Sequence, residues 1–496
     1  MKLNALTLID FYKSGHKFQY TPGTTKVYSN FTPRSSHHFQ IPDVKEVLFF
    51  GLQGKLMWLV KELWDETFFN LPKQEVVAEY KRRMDTSLGE GAVPVDHIAA
   101  LHDLGYLPLC IKALPEGSLV SLKVPVFTIT NTHPDFFWLT NYFEDMLSAE
   151  SWKSINNATI AYQYRKLFNK FAEFTGSPAW FTDWQGHDFS MRGMSGVHDA
   201  ASTGASHLIS FLGTDTIPAM DYLDTYYGGR DTFLGGSVPA TEHSVMCIDG
   251  NTDEIGTFRR LITEVYPSGI VSIVSDTWDF WKVITEYAEI LKPEILARTV
   301  NPLGQAKVVF RPDSGNPADI ICGDVREPTG SPAFKGAVEC LWDIFGGTIN
   351  EKGYKVLNER VGLIYGDSIT YERAQDILAR LQWKGFASCN IVFGIGSYTY
   401  QHSTRDSLGF AMKATYAEVN GEARELFKDP ITDSGTKKSA KGLLRVEEEN
   451  GTFVLYDQQT PEQEASGALK TVFLNGTLFN LQTIAEIRNR VGFIKL

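Results

Sequence analysis

Four short apolar runs downstream of about Phe181 each end in a cluster of Gly, Asp, Ser or Arg and pass into a segment with helical spacing. They are SGIVSIVSDTWDFWKVITEYAEIL, KVVFRPDSGNPADI, RVGLIYGDSITYERAQDILARL and CNIVFGIGSYTYQ. Apolar runs bounded by turn residues read as buried strands, and strand-helix alternation builds a parallel sheet or a barrel. In such folds ligands bind at the carboxyl ends of the strands. The polar clusters fall there: Asp276 after VSIVS, Arg311 and Asp313 after KVVF, Gly366 and Asp367 after VGLIY, and Gly394, Gly396 and Ser397 after NIVF. Taken singly, each residue reads as a helix cap or a turn. Four repeats on one face favour a site.

The flanks have a different texture. TTKVYSNFTP alternates like a strand, VLFFGLQGKLMWLVKELW carries apolar residues at helical spacing, and ATIAYQYRKLFNKFAEFTG reads as an amphipathic helix stopped by Gly176. Near the end, GLLRVEEENGTFVLYDQ and KTVFLNGTLFNL each centre an Asn-Gly on alternating residues, a hairpin signal. Thr483 with Glu486 has the spacing of a capping box. The expected organisation is a mixed α/β region over 1–180, an α/β barrel-like core over 181–404, and a segment over 405–496 that returns to a β-rich accessory domain.

At 496 residues the chain exceeds the usual size of one core, and 43% hydrophobic with 21% charged residues is a globular composition. A formal net charge of -12 disfavours a general nucleic-acid or anionic-membrane surface, so any phosphate must be held by a local cluster of cations. The 5 cysteines contain no C-x-x-C pair, which suggests neither a zinc site nor a disulfide framework and fits a reducing cytoplasm. No membrane span and no secretory leader are expected.

Arg311 and Asp313 stand two residues apart, so an extended backbone aims both side chains the same way. A guanidinium there can clamp a phosphate or stack on a flat ring, and the carboxylate can accept from hydroxyls or hold a hard cation such as Mg²⁺. FGIGS offers backbone N–H groups to an anion but has neither the dinucleotide nor the Walker spacing. Upstream, WQGHDFSMRG carries His187, Asp188, Phe189 and Arg192, HLISFLGTDT places Asp215 after another apolar run, and SVPATEHSV sets Glu242 beside His243. His187 reads as structural, whereas the Glu242 and His243 pair suits proton or phosphoryl handling. Lys428, Lys437, Lys438 and Lys441 concentrate positive charge in a loop that is either simply solvated or closes over phosphates.

With these motifs in order, from DFYKSGHKFQYTPGTTKVYSNFTPR through FFGLQ, HDFSMRG, GTDT, SVPATEHS, VSDTWD, RPDSGNP, YGDSI, FGIGS and TRD to FKDP, nearly the whole chain resembles the nicotinamide phosphoribosyltransferases, a type II phosphoribosyltransferase family. The brevity of SHHFQIPDVKE suggests a bacterial or phage member. The resemblance implies an irregular α/β barrel with a β-rich accessory domain, assembled as a head-to-tail homodimer in the cytoplasm. It implies transfer of the phosphoribosyl group from phosphoribosyl pyrophosphate to nicotinamide, with Mg²⁺ as cofactor and ATP as a co-substrate acting through a phosphohistidine.

On the same basis, Phe189 and the partner subunit's Tyr12 would stack on the nicotinamide ring, Asp215 would accept from the amide and Arg311 would contact the ring or the amide. Arg192, Asp313, Gly366, Asp367, Gly396 and Ser397 would hold ribose and phosphate, with Asp313 and Asp279 near the metal and ribose, and Asp188 would belong to the substrate-binding set. Arg34, Arg192, Arg405, Lys413, Lys428 and Lys437 would bind phosphate and pyrophosphate, and His243 would be phosphorylated. The family continues its phosphate loop with glycines where this chain has Ser397 and Tyr398, which changes the expected backbone approach. Two alternatives stand beside this reading: a nicotinate phosphoribosyltransferase, discriminated by the charge of Asp215, and a non-catalytic nucleotide-binding protein of the same fold, which would have no use for His243.

Overall fold

The computed structural model describes residues 3–427 and 440–494. The chain divides into two compact units, Met1–Thr159 with Tyr222–Asp231 and Ser403–Leu496, and Ile160–Asp221 with Thr232–His402. The second unit thus begins inside the helix Glu144–Thr175 rather than at 181, and does not contain Tyr222–Asp231.

The second unit is built on six parallel strands: β1 Gly186–Phe189, β2 Gly213–Thr214, β3 Gly269–Val274, β4 Ala306–Arg311, β5 Val361–Tyr365 and β6 Val392–Gly396. Their order in the sheet is β2-β1-β6-β5-β4-β3. Val271, Ile273, Val308, Phe310, Val361, Leu363, Phe393 and Ile395 are all buried, as expected of parallel strands covered by crossover helices. Those helices begin where the sequence places caps. Asn316 accepts from Ala318 N–H before Pro317–Cys322, and Thr370 accepts from Arg373 N–H before Tyr371–Trp383.

The sheet is not left open. Gly236 bridges in parallel to Gly213 of β2, and Ala240 bridges in parallel to Ser272 of β3. Thr214 N–H donates to the Gly236 carbonyl at 3.0 Å, Ser272 N–H to the Pro239 carbonyl at 2.9 Å, and Thr241 N–H to the Ser272 carbonyl at 3.0 Å. Residues 236–241 therefore join the two edge strands and close the ring as an irregular α/β barrel. Pro239 fits because only its carbonyl is used there.

The first unit carries a seven-stranded sheet in the order Glu422–Glu425, Ala411–Val419, Thr24–Thr32, Phe127–Asn131, Leu109–Ala113, Lys470–Leu474, Thr477–Leu478. Its pairings are antiparallel, so residues from both ends of the chain share one β-rich layer. The Asn-Gly hairpins turn at Asn450-Gly451 and Asn475-Gly476, all four residues at positive φ, as tight hairpin turns between strands require. Thr483 and Glu486 form the reciprocal capping box of the helix Ile484–Val491.

Phe31 anchors this sheet. Its ring is wholly buried and stacks on Phe127 at 5.0 Å and on Phe410 at 4.9 Å. Phe31→Ala is expected to cost about 3–5 kcal/mol, read as a lowered urea midpoint, with the loss confined to the transition of this unit if the two units unfold separately.

Candidate active site

The strand ends of the barrel bring most of the singled-out residues of the second unit together. Alternation along β1 sends His187 and Phe189 to one side and Asp188 to the other. Asp188 is completely buried; one carboxylate oxygen accepts from Ser190 N–H at 2.9 Å and the other from the Thr214 hydroxyl at 3.1 Å. It braces the turn after β1, and this burial removes it from the ligand-contacting set expected from sequence.

One edge of the Phe189 ring closes on the backbone at Gly394 and Gly366. A Cβ at Gly394 would come 2.4 Å from its Cδ2 and 2.7 Å from Gly366 Cα, and a Cβ at Gly366 would come 2.6 Å from Asp313 Oδ1. Glycine is needed at both places because ring, carboxylate and two strand ends occupy the space a side chain would take. Gly396, by contrast, faces open space, while the Ser397 hydroxyl fills the position of a Cβ at Gly193, next to the exposed Arg192.

Asp215, following β2, is tied to β1 and to the closing segment. Its backbone N–H donates to the Asp188 carbonyl at 2.9 Å. Its Oδ1 receives His187 Nε2 at 2.8 Å and also the hydroxyl of Ser237, on the closing segment. Burial raises its pKa, but the His187 and Ser237 hydrogen bonds and the charge of Arg311 outweigh this, leaving it below the ordinary carboxylate value.

Across the barrel mouth, Arg311 Nη2 donates to the Thr241 carbonyl at 2.5 Å, and its Nε stands 3.7 Å from Asp313 Oδ2, so the two side chains do share a side. Asp276 Oδ2 accepts from Asp313 N–H at 2.9 Å and from Ser314 at 2.6 Å, and its Oδ1 stands 3.4 Å from His243 Nε2. Burial pushes the Asp313 carboxyl up; Arg311 and His243 oppose this, while Asp276 and Asp367 add to it. Behind them Glu254 is almost wholly buried and pushed up to about 7, by burial first and then by Asp279 and Asp276 against Lys282.

Asp313 Oδ1 and Asp276 Oδ1 are buried without hydrogen-bond partners. Among the described residues no group of three or more His, Cys, Asp or Glu side chains could hold a metal by itself. Two hard carboxylates fit Mg²⁺, which takes one or two protein carboxylates and completes its shell with water and phosphate oxygens. Asp279 is not part of this pair: it is exposed and accepts from Lys282 N–H at 3.1 Å as a helix cap. Asp276, two residues past the end of β3, is the carboxylate that meets Asp313.

In the first unit, Tyr12 is 57% exposed, its ring 5.1 Å from the Lys13 ammonium and 5.2 Å from the His16 ring. Arg34 donates through Nε to the Gly409 carbonyl at 2.7 Å; burial and then the neighbouring Arg405 lower its pKa. Lys413 is exposed on its strand. Lys428 and Lys437 lie outside the described residues. Sequence reasoning passed over Ser237 and Thr241 and set His187 aside as structural; the His-x-Phe alternation on β1 was the one signal that places His187 beside Phe189, 4.9 Å between rings.

Residues 184–477 match the profile of the nicotinate phosphoribosyltransferase (NAPRTase) family. The chain is 60% identical to the nicotinamide phosphoribosyltransferase of Acinetobacter baylyi, covering 99% of this chain and 97% of that one. It is 32% identical to the enzyme of the same name from Xanthomonas campestris over 99% of both chains, and 34% identical to that of Mycoplasma pneumoniae over 89% and 95%. In fold it is similar to a nicotinate-nucleotide pyrophosphorylase from Pyrococcus furiosus, at a TM-score of 0.56 with 16% identity, covering 98% and 94%. Human nicotinic acid phosphoribosyltransferase gives 0.54 with 15% identity over 97% and 92%.

Gly394→Ala is expected to push Phe189 off its seat and raise KM for an aromatic substrate by roughly tenfold or more, since a methyl forced into a packed site costs about 1–3 kcal/mol; steady-state kinetics measure it. For Glu254, a folded pKa of about 7 above the ordinary 4.5 means the folded state prefers the protonated acid. Stability is then fully present below about 4.5 and lost as pH rises through about 7. Glu254→Gln should remove that decline, seen as a flatter plot of unfolding free energy against pH.

Proposed function

This chain belongs to the nicotinate phosphoribosyltransferase family, and from that membership and the strand-end site we infer an enzyme of NAD salvage acting on nicotinamide. It transfers the phosphoribosyl group of phosphoribosyl pyrophosphate to nicotinamide, giving nicotinamide mononucleotide and pyrophosphate. The observation that carries the choice of substrate is the near full-length identity to the Acinetobacter nicotinamide phosphoribosyltransferase. The family's other substrate, nicotinate, carries a carboxylate. Asp215, held ionised by His187 and Ser237, accepts from an amide N–H but meets nicotinate as a like charge.

The chemistry asks little proton transfer of the protein. The pyridine nitrogen has no proton to lose, and its lone pair forms the new bond to C1 of the ribose while the C1–O bond breaks toward pyrophosphate. Positive charge builds on the sugar and negative charge on the leaving group. In this reading Phe189 supports one face of the ring, Arg311 and Asp215 orient the amide, and Asp313 with Asp367 takes the ribose; the packing of Phe189 and Asp313 at Gly394 and Gly366 supports it. Asp313 and Asp276 would hold Mg²⁺, which would supply charge stabilisation for the departing pyrophosphate. Arg192, Gly396 and Ser397 are suited to the 5′-phosphate, and Arg34, Arg405 and Lys413, with Lys428 and Lys437, to pyrophosphate.

Two further parts belong to the same reading. A homodimer places the partner's Tyr12 on the open face of the substrate ring, and the exposure of Tyr12 beside Phe11 supports it. ATP phosphorylates His243: with Nε2 directed at Asp276, the lone pair of Nδ1 is available to attack the γ-phosphorus and release ADP. The unpaired cysteines, together with the reaction's soluble substrates, support a cytoplasmic location.

The test is an assay of the purified protein with phosphoribosyl pyrophosphate, Mg²⁺ and either nicotinamide or nicotinate, with the mononucleotide identified by mass. Product from nicotinamide is expected; product mainly from nicotinate would keep the fold and overturn the substrate. His243→Ala should abolish ATP hydrolysis while retaining a slower phosphoribosyl transfer, and undiminished ATPase activity would overturn the phosphohistidine.

A further inference from the structure

Two hydrogen bonds converge on one oxygen of Asp215, and none of the described residues donates to the other. Oδ1 takes His187 Nε2 at 2.8 Å and the Ser237 hydroxyl, while Ser237 also lies 3.4 Å from the same imidazole nitrogen. The three groups form a closed triangle spanning β1, the end of β2 and the barrel-closing segment. His187 itself has no freedom to swing away. It is 8% exposed, and a Cβ at Gly213 would come 2.7 Å from its Nδ1, so the ring is seated directly on the backbone of β2. The Asp215 side chain is 40% exposed, so its second oxygen is the part left for a ligand.

We propose that His187 and Ser237 are the specificity-positioning residues of this enzyme: by saturating Oδ1 of Asp215 they leave Oδ2 as a single fixed acceptor, which selects an uncharged N–H-bearing ring substituent over a carboxylate. This deepens the reading of Asp215 given above and rests on it. A carboxylate free to rotate presents either oxygen and tolerates several substituent geometries. A clamped one presents a single lone-pair direction, matched by a primary amide lying in the plane of the stacked ring. The same two bonds keep the carboxylate ionised against its burial. Without them burial favours the protonated acid, which can donate to a carboxylate and so admit nicotinate. Removal of either clamp therefore loses amide affinity and gains tolerance of the acid.

Ser237 carries the test because it lies at the exposed end of the site, where truncation leaves the core untouched. Four variants are compared in the full-length protein: Ser237→Ala, Ser237→Thr, His187→Gln and Asp215→Asn. The readout is the ratio of kcat/KM for nicotinamide to that for nicotinate, with KM and kcat separated. Ser237→Ala is expected to lower the ratio about tenfold, mainly through a raised KM for nicotinamide, as for loss of one hydrogen bond to a charged group. Ser237→Thr and His187→Gln keep a donor and should stay close to the parent ratio, while Asp215→Asn should lower it furthest. A parent-like ratio in Ser237→Ala alongside a collapsed one in Asp215→Asn overturns the clamp and leaves Asp215 as the selector. A parent-like ratio in Asp215→Asn overturns both. Equal loss in Ser237→Ala and Ser237→Thr would also overturn the clamp, since the hydroxyl would then be irrelevant.

Discussion

The hydrogen bonds that residues 236–241 make to β2 on one side and β3 on the other are the constraint on which this site depends. A parallel sheet of six strands has two edges, and its strand ends diverge with the twist. The bridges Gly213 to Gly236 and Ser272 to Ala240 turn that sheet into a ring, so residues from far-separated parts of the sequence face a common mouth. The closing segment also contacts the candidate site directly, since Ser237 meets Asp215 and the Thr241 carbonyl holds Arg311. It leads within two residues to His243.

The mouth is electrostatically divided. On one side, hydrogen bonds and Arg311 hold Asp215 as an anion despite burial. On the other, Asp276, Asp313 and Asp367 crowd together, and burial with mutual repulsion drives the Asp313 carboxyl upward. A crowd of carboxylates with unpartnered buried oxygens is costly for the free protein and is relieved by cationic ligands. The strand ends thus deliver carboxylates in two electrostatic states.

Much of this was legible in the sequence because its units are local. Strand, polar cluster and helix follow one another within about twenty residues, and Asn-Gly between alternating residues leaves few options other than a hairpin. Gly394 and Gly366 are also readable as places where the backbone is approached closely, although not what approaches it. What failed to show was pairing across the barrel. His187 looked like an isolated histidine because its partner lies 28 residues on and the serine that completes the triangle 50 residues on. Asp276 and Asp279 look alike in VSDTWD; one follows the strand directly and faces Asp313, while the other falls three residues later at a helix start.

The sequence by itself determined the periodicities, and with them the strands, helices, turns and the face on which polar residues gather, because those depend on neighbours within a turn or two. It also determined the family, through the ordered set of motifs. Only the tertiary structure decided that Asp188 is a buried brace, that Asp276 rather than Asp279 meets Asp313, and that His187 and Ser237 share one oxygen of Asp215. Most of those facts are contacts between strands far apart in sequence, set by strand pairing for Asp188 and Asp276 and by the closing segment for Ser237.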